Sequence, residues 1–274
     1  MSSAGAGAGP STGRIRVMTW NVHGLEGRDG RRDPERVAAV LEEAGADIAG
    51  LQEVGALGGP GELLDPAGTL ARLTGLAQAY GLTELRGGFP YGNCILSRYG
   101  ITATRSYDLS VPRREKRGCL RADVDLGAEG ALHVFNVHLG LDRRERRRQA
   151  AHLLSADIQR DTALAYPLVL VGDFNAWTSR SAVPRWIRRQ LVDAALAAGV
   201  PRATFPSAFP LVRLDRAYGG PAVRVLACTV HDSPLARLAS DHLPVVLEAE
   251  LAPAARRPPP ARPIVAHGVT TDVR

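Results

Sequence analysis

The stretch Leu168-Val-Leu-Val-Gly-Asp-Phe-Asn175 decides how the rest of the chain is read. Its apolar, partly β-branched start reads as a buried strand. That strand stops at a carboxylate, Asp173, and a carboxamide, Asn175. Alternation along an extended chain turns residues two apart to the same side, so both polar groups point into the mouth of the strand. Leaving a core strand together is costly for such groups unless they bind something. Taken alone, the stretch is equally readable as a satisfied strand-to-turn junction.

The same junction recurs outward in both directions. Ile15 to Trp20 is a short strand running into Asn21 and His23, and Asp47 to Leu51 runs into Gln52 and Glu53. Leu132 to His138 ends on an imidazole, Leu211 to Tyr218 contains Asp215, and Asp241-His242 precedes the strand from Leu243 to Leu251. Each has a plain explanation. Asn21 can cap a turn, Glu53 can lie on the surface, His138 can be a satisfied core histidine, Asp215 can pair with Arg216, and Ser240-Asp241-His242 can be a turn. Independent accidents would not place metal-type and acid–base groups at so many strand ends.

Between these strands the signals are mixed. Pro34 opens a helix that Gly45 closes. Gly58 to Gly61 marks a loop, and Thr69 is expected to cap a helix ending near Gly81. Cys94 to Leu96, Arg105 to Leu109 and Leu120 to Leu126 read as strands. Arg143 to Ile158 reads as a helix with Ala150, Leu153, Leu154 and Ile158 inward. A helical stretch surrounds Trp186 and Ile187, and Val223 to Val230 is a late strand joined to its predecessor by Gly219-Gly220. Helices between some strands and tight turns between others predict a mixed sheet or two packed sheets.

The 274 residues are 45% hydrophobic and 23% charged, which suits one domain with a sizeable core. Residues 1–13 read as a flexible tail without the pattern of a secretion signal, 14–251 as one folded domain, and 252–274 as a disordered Pro/Arg-rich tail. No apolar run reaches the roughly 20 residues that span a membrane. The three cysteines, Cys94, Cys119 and Cys228, lack metal-type spacing and read as buried thiols in a reducing compartment. A cytoplasmic monomer is expected. The net charge of +6 is compatible with a phosphate-bearing substrate. Lys116 is the single lysine among 34 basic residues, an arginine bias that genome composition can also produce.

Six segments carry a resemblance: Thr19-Trp-Asn-Val-His-Gly24, Leu51-Gln-Glu-Val54, Asn136-Val-His-Leu-Gly140, Gly172-Asp-Phe-Asn175, Leu214-Asp-Arg216 and Ser240-Asp-His-Leu-Pro244. In this order they resemble the endonuclease/exonuclease/phosphatase superfamily, over roughly Arg14 to Leu251. The resemblance implies an α/β (α+β) fold, a four-layer sandwich of two central mixed, largely antiparallel β-sheets flanked by helices, with a site at one edge. Gly92-Asn-Cys-Ile-Leu-Ser-Arg98 and His138-Leu-Gly-Leu-Asp-Arg143 are similar to compact bacterial phosphodiesterase-type members, whose substrates are mostly unsettled.

Phosphodiester cleavage requires an in-line water, charge neutralisation on the non-bridging oxygens and stabilisation of a departing oxyanion. The resemblance implies that Glu53, with Asn21 and Asp241, holds Mg²⁺, a hard cation that needs few carboxylates; Mn²⁺ takes similar ligands. His242 is then the acid–base imidazole, oriented by Asp215. Asp173 positions or deprotonates the water, Asn175 donates to a phosphate oxygen, and His138 contacts the phosphate or the leaving group, without an identifiable carboxylate partner. Asn93 and Arg143 are expected on the substrate, although Arg143 with its neighbours is as readily a solvated helix face. Trp177 reads as core packing, with a base or lipid chain as the other reading. The expected substrate is a phosphodiester (or phosphomonoester) of nucleic acid or a phospholipid head group; no aromatic platform and no apolar loop stands out. A silent member that only binds a phosphorylated partner is the rival reading.

Overall fold

The computed structural model describes residues 14–55, 65–127, 131–164, 167–178 and 180–252. Strand β1 (Arg14–Asn21) leads through a 3-10 turn at His23–Leu25 to helix α1 (Pro34–Ala44) and strand β2 (Ile48–Gly55). Then come α2 (Pro66–Thr74), β3 (Ala77–Arg86), β4 (Phe89–Ser97), β5 (Ile101–Asp108), β6 (Gly118–Asp125) and β7 (Ala131–His138). The second half runs through α3 (Arg143–Leu153), β8 (Leu168–Asp173), α4 (Ala182–Ile187), β9 (Val192–Asp193) and α5 (Ala194–Ala197). It ends with β10 (Asp215–Gly219), β11 (Val223–Val230), α6 (Pro234–Ala239) and β12 (Val245–Leu251).

The strands form two six-stranded sheets, ordered β11-β12-β1-β2-β4-β3 and β5-β6-β7-β8-β10-β9. Each contains one parallel pair, β1 with β2 and β7 with β8, and is otherwise antiparallel. The sheets face each other across Val17, Ile48, Ile95, Val134, Val171 and Leu247. Helices α1, α2 and α6 cover the first sheet over Trp20, Leu51 and Leu96, and α3 and α4 cover the second over Phe135 and Leu170. Four layers result, as the sequence resemblance implies.

Two glycines allow the close approaches this requires. A Cβ on Gly50 would lie 2.7 Å from Val171 Cγ2 on the facing sheet. Gly172 has φ +152°, and a Cβ there would meet the Val137 carbonyl oxygen at 1.9 Å. Strand β8 therefore delivers Asp173 beside β7 only if glycine precedes it. A buried polar bridge also joins the sheets. Asn136 on β7 donates to the carbonyls of Leu51 at 2.8 Å and Cys94 at 2.9 Å, and its Oδ1 accepts from Gln52 Nε2 at 2.6 Å.

Several sequence expectations are corrected. Asp65, not Thr69, caps α2, accepting from Gly68 N at 2.8 Å. That helix stops at Thr74, where Gly75 takes the left-handed conformation, and Gly81 lies inside β3. The Asp-Pro pair is the stronger helix start, because proline suits the first turn and aspartate accepts its orphan amides. Helix α3 ends at Leu153 rather than Ile158, though Leu154 and Ile158 are buried as expected. The strand expected from Leu211 begins only at Asp215. The tails at 1–13 and 253–274 and the loop at Gly58 to Gly61 lie outside the described residues. Among the described residues, no helix is long and apolar enough to cross a membrane.

Candidate active site

The two parallel pairs end at the same edge of the sandwich and bring four site residues there. Asn21 closes β1, and Glu53 lies at an irregularity of β2 between Leu51 and Val54. His138 closes β7 and is paired in register with Asp173 at the end of β8. Asp215 opens β10 directly opposite Asp173. His242 precedes β12, held by Trp20 Nε1 donating to its carbonyl at 2.9 Å and by its own amide on Ser240 Oγ at 3.1 Å. Glu53 (φ 59°) and Asn175 (φ 47°) take left-handed backbone conformations. Such strain in a non-glycine residue is kept where the fold needs that side chain re-aimed.

The side chains converge. Asn21 Nδ2 donates to Glu53 Oε1 at 2.9 Å and to Asp173 Oδ2 at 3.2 Å. Asp173 Oδ2 is also 3.6 Å from His138 Nε2 and 3.9 Å from His242 Nε2. His138 Nε2 is 3.8 Å from Glu53 Oε1, so the carboxylates that sequence did not reveal for this ring are Asp173 and Glu53. The opposite face of His242 is fixed: Nδ1 is 2.9 Å from Asp215 Oδ2, which also accepts from Thr204 Oγ1 at 2.6 Å. Asn175 Nδ2 donates to the Leu139 carbonyl at 2.9 Å and lies 3.3 Å from His138 Nε2.

Charge divides the two imidazoles. Burial pushes His242 down, but the Asp215 carboxylate, its hydrogen bond, and the charges of Asp173 and Asp241 outweigh burial and raise it to about 10. His138 moves the other way: burial and the nearby Arg117 hold it below the usual range against the pull of Asp173 and Glu53. The cleft thus presents an imidazolium and a neutral imidazole on either side of Asp173. Burial would raise Glu53, yet the nearby His138, the Tyr91 hydroxyl, Asn21 and His23 hold its carboxyl below the usual range. With His138 neutral, the donors from Tyr91 and Asn21 sustain that ionisation.

The residues fit a hard cation at the Glu53 end. Glu53 opens into a cleft of about 230 Å³ that it shares with His23, Arg86 and Tyr91. Asp241 joins this end through His23, whose Nδ1 is 3.6 Å from Asp241 and 4.0 Å from Glu53. Among the described residues, no arginine or lysine pairs with Glu53, Asp173 or Asp241. Three carboxylates without an arginine or lysine ion pair suit a divalent ion with oxygen ligands. Asp173, Asp215 and His242 also bring ligand-type atoms within 4.8 Å of one another. His242 Nδ1 and Asp215 Oδ2 are already committed to each other at 2.9 Å, so we read those three as acid–base machinery.

Asn93 lies on β4 across from the Gln52–Glu53 irregularity of β2, and Arg143 begins α3; neither hydrogen-bonds to the cluster. The Asn93 amide donates to the Gly118 carbonyl at 3.0 Å, in the gap between β4 and β6. Arg143 is exposed at the start of α3 and lines a separate cleft of about 820 Å³. Arg146, not singled out in the sequence, is buried: its guanidinium donates to the carbonyls of Gly140 and Leu141, and its charge reaches Asp173. Tyr91, Arg117 and Thr204 were missed too. Tyr91 adjoins the Gly92-Asn93 segment, which was a signal; Thr204 offered none. Asp215 does not pair with Arg216, which instead reaches the carbonyls of Ala176 and Arg213.

A sandwich of two sheets with carboxylates, amides and two unlike imidazoles at one edge defines a hydrolase-type site. Residues 18–242 match the family model described as Endonuclease/Exonuclease/phosphatase family. The chain is 37% identical over 175 residues to the uncharacterized protein YbhP of Escherichia coli, covering 63% of this chain and 68% of that protein. An endonuclease/exonuclease/phosphatase from Beutenbergia cavernae superposes with TM-score 0.69 at 27% identity, covering 87% of this chain and 72% of that one. A mannosyl-6-phosphatase from Bacteroides thetaiotaomicron shares the fold with TM-score 0.70 at 19% identity, covering 86% and 99%. The chain belongs to the endonuclease/exonuclease/phosphatase family, whose members are phosphoesterases.

Proposed function

We propose that this chain is a divalent-metal-dependent hydrolase that cleaves phosphodiester (or phosphomonoester) bonds by in-line attack of water. Its substrate is a nucleic acid or a phospholipid head group. The observation that carries this reading is the meeting of three groups at Asp173 Oδ2: the Asn21 amide at 3.2 Å, His138 Nε2 at 3.6 Å and His242 Nε2 at 3.9 Å. A carboxylate so placed can orient a water and take its proton, while an imidazolium beside it neutralises a phosphate oxygen.

Glu53, Asn21 and Asp241 would hold the cation, Mg²⁺ or Mn²⁺, which when bound neutralises charge on the non-bridging oxygens. Asp215 keeps His242 protonated and fixes its ring, so that Nε2–H faces the scissile phosphate. His138, neutral, and the Asn175 amide orient the phosphate or the leaving group. Arg143 and Asn93 contact more distant parts of the substrate. The test is hydrolysis of bis-p-nitrophenyl phosphate, supercoiled plasmid and phospholipid with Mg²⁺, Mn²⁺ or EDTA. Asp173→Asn should lower kcat/KM by about 10³-fold. Activity that survives EDTA, or that persists in Asp173→Asn and His242→Ala alike, refutes the reading.

A further inference from the structure

Large apolar side chains stand in water on three connections next to the site residues, after β7, after β8 and before β10. Leu141 is 67% exposed, Trp177 59%, Phe209 72% and Leu211 68%. Their places follow from the chain beside them. Leu141 lies two residues beyond Leu139, whose amide donates to the Asp173 carbonyl at 2.9 Å. Trp177 lies two beyond Asn175, so the core role expected from its sequence is replaced by a place on the rim. Phe209 lies two beyond Ser207, whose amide donates to the Asp241 carbonyl at 2.6 Å. The Leu211 amide donates to the Phe205 carbonyl at 2.8 Å, and the Phe205 ring sits 4.8 Å from that of His242. Phe209 and Leu211 share the proline-rich run 205–212, whereas Leu141 and Trp177 come from separate parts of the chain.

The rim adjoins strong positive charge. The cleft of about 820 Å³ that begins at Asp142 is lined by seven arginines, at 113–114, 143–144 and 146–148, against Asp142 and Glu145. Two acids cannot balance seven arginines, and Asp142 reaches only Arg114, at 3.9 Å. Asp142 caps α3 through the amides of Arg144 and Glu145, and Glu145 is buried against Gln149. Arg147 lies over the Trp186 ring at 5.6 Å, which keeps its charge on this face. Exposed apolar side chains on connections that leave the site, with concentrated cationic charge beginning next to Leu141, mark an interaction face.

Two leucines decide between the polyanions that such a face can meet. Leu141 and Leu211 have no π-face, so they add nothing to a stack of bases. They do suit the boundary between head groups and acyl chains, where tryptophan and phenylalanine also sit and where arginines engage anionic head groups. We propose that this face docks on an anionic phospholipid bilayer, with the Leu141, Trp177, Phe209 and Leu211 side chains entering the interface and the arginine cleft holding head-group phosphates. The site then opens toward the membrane surface, and head-group phosphodiesters become its substrate class. Only this last step rests on the hydrolase reading above.

Co-sedimentation of the full chain with vesicles tests the docking, and hydrolysis of soluble bis-p-nitrophenyl phosphate tests the chemistry separately. The protein should pellet with vesicles of phosphatidylcholine and phosphatidylglycerol, and not with phosphatidylcholine alone. The Phe209→Ser/Leu211→Ser variant, and Arg144→Glu/Arg148→Glu independently, should each weaken partitioning at least about tenfold. Leu141→Ser, on another loop, should weaken it in the same direction. The serine variants should melt as the wild type does and keep its rate on the soluble ester. Equal binding to both vesicle types, or full binding by both the Phe209/Leu211 pair and Leu141→Ser, overturns the proposal. So does a single-stranded oligonucleotide that displaces the lipid and binds the serine variants as well as the wild type, since that assigns the face to nucleic acid. If bis-p-nitrophenyl phosphate is not hydrolysed while vesicles still bind, the docking stands and the hydrolase reading fails.

Discussion

The crossovers β1–α1–β2 and β7–α3–β8 are the same device used for different ends. Each places two parallel strands side by side and delivers two polar groups to one edge. The first delivers Asn21 and Glu53, and the Glu53 side chain keeps 21% of its surface exposed. The second delivers His138 and Asp173, whose side chains are 7% and 2% exposed. Their connections explain the contrast. The first wanders through a 3-10 turn before Asp33 caps α1; the second takes four residues, 139–142, and is tied down throughout. The Leu139 amide reaches the Asp173 carbonyl, the Gly140 amide reaches Gln149, and Arg146 closes the carbonyls behind them. An open end suits a hydrated cation, and a dry, clamped end suits proton transfer.

That contrast can be broken at the first crossover through Tyr91, which donates to Glu53 without being a candidate ligand itself. Tyr91→Phe should weaken apparent Mg²⁺ affinity by about 10- to 100-fold, as loss of a ligand's outer partner does. Calorimetric Mg²⁺ titration would read this, and excess metal should restore most of the turnover. An unchanged affinity would mean that Glu53 does not hold the ion.

At the second crossover the clamp is the target. Arg146→Met keeps the bulk but strips the carbonyls of Gly140 and Leu141 of a buried partner. It should cost about 1–3 kcal/mol in urea unfolding. Because that loop abuts Asp173, kcat/KM on bis-p-nitrophenyl phosphate should fall beyond what instability explains at low temperature.

The two helix caps give the finest comparison. Asp33 accepts from the Arg36 amide at 2.9 Å, and Asp142 accepts from Arg144 at 2.9 Å and Glu145 at 3.1 Å. Asp33→Ala and Asp142→Ala should each lose about 1 kcal/mol. Only Asp142→Ala should also lower the turnover of the folded enzyme. Equal activity in the two variants would mean that the short connection imposes no more on chemistry than the long one.

Much of the site could be read in the sequence because a polar residue at the end of an apolar strand needs no tertiary information to stand out. Asp173, Glu53 and Asn21 stand out in that way. What escaped depends on phase and partners. Five arginines follow Leu141, and only the helix's rotation turns Arg146 inward beside Glu145, Gln149 and Ala150. Strand β3 has only two buried residues among its ten, Ala79 and Gly81, so it shows little apolar patterning, and its part up to Gly81 reads as the end of a helix. The carboxylates facing His138 come from β2 and β8, and no local pattern announces them. Thr204 sits in an irregular segment whose meaning lies entirely in the Asp215 oxygen it meets.

The amide bridge at Asn136 has a last consequence. Asn21 and Glu53 ride on one sheet, and His138, Asp173 and Asp215 on the other, with Asn136 pinning the two just beneath them. Neither sheet owns the reaction centre. A sideways slip of one sheet by a single residue would part Glu53 from Asp173 while leaving every strand intact. Ordering of the cleft is therefore all-or-none with docking of the sheets, and a fragment holding either sheet alone would be inert, however well it folded.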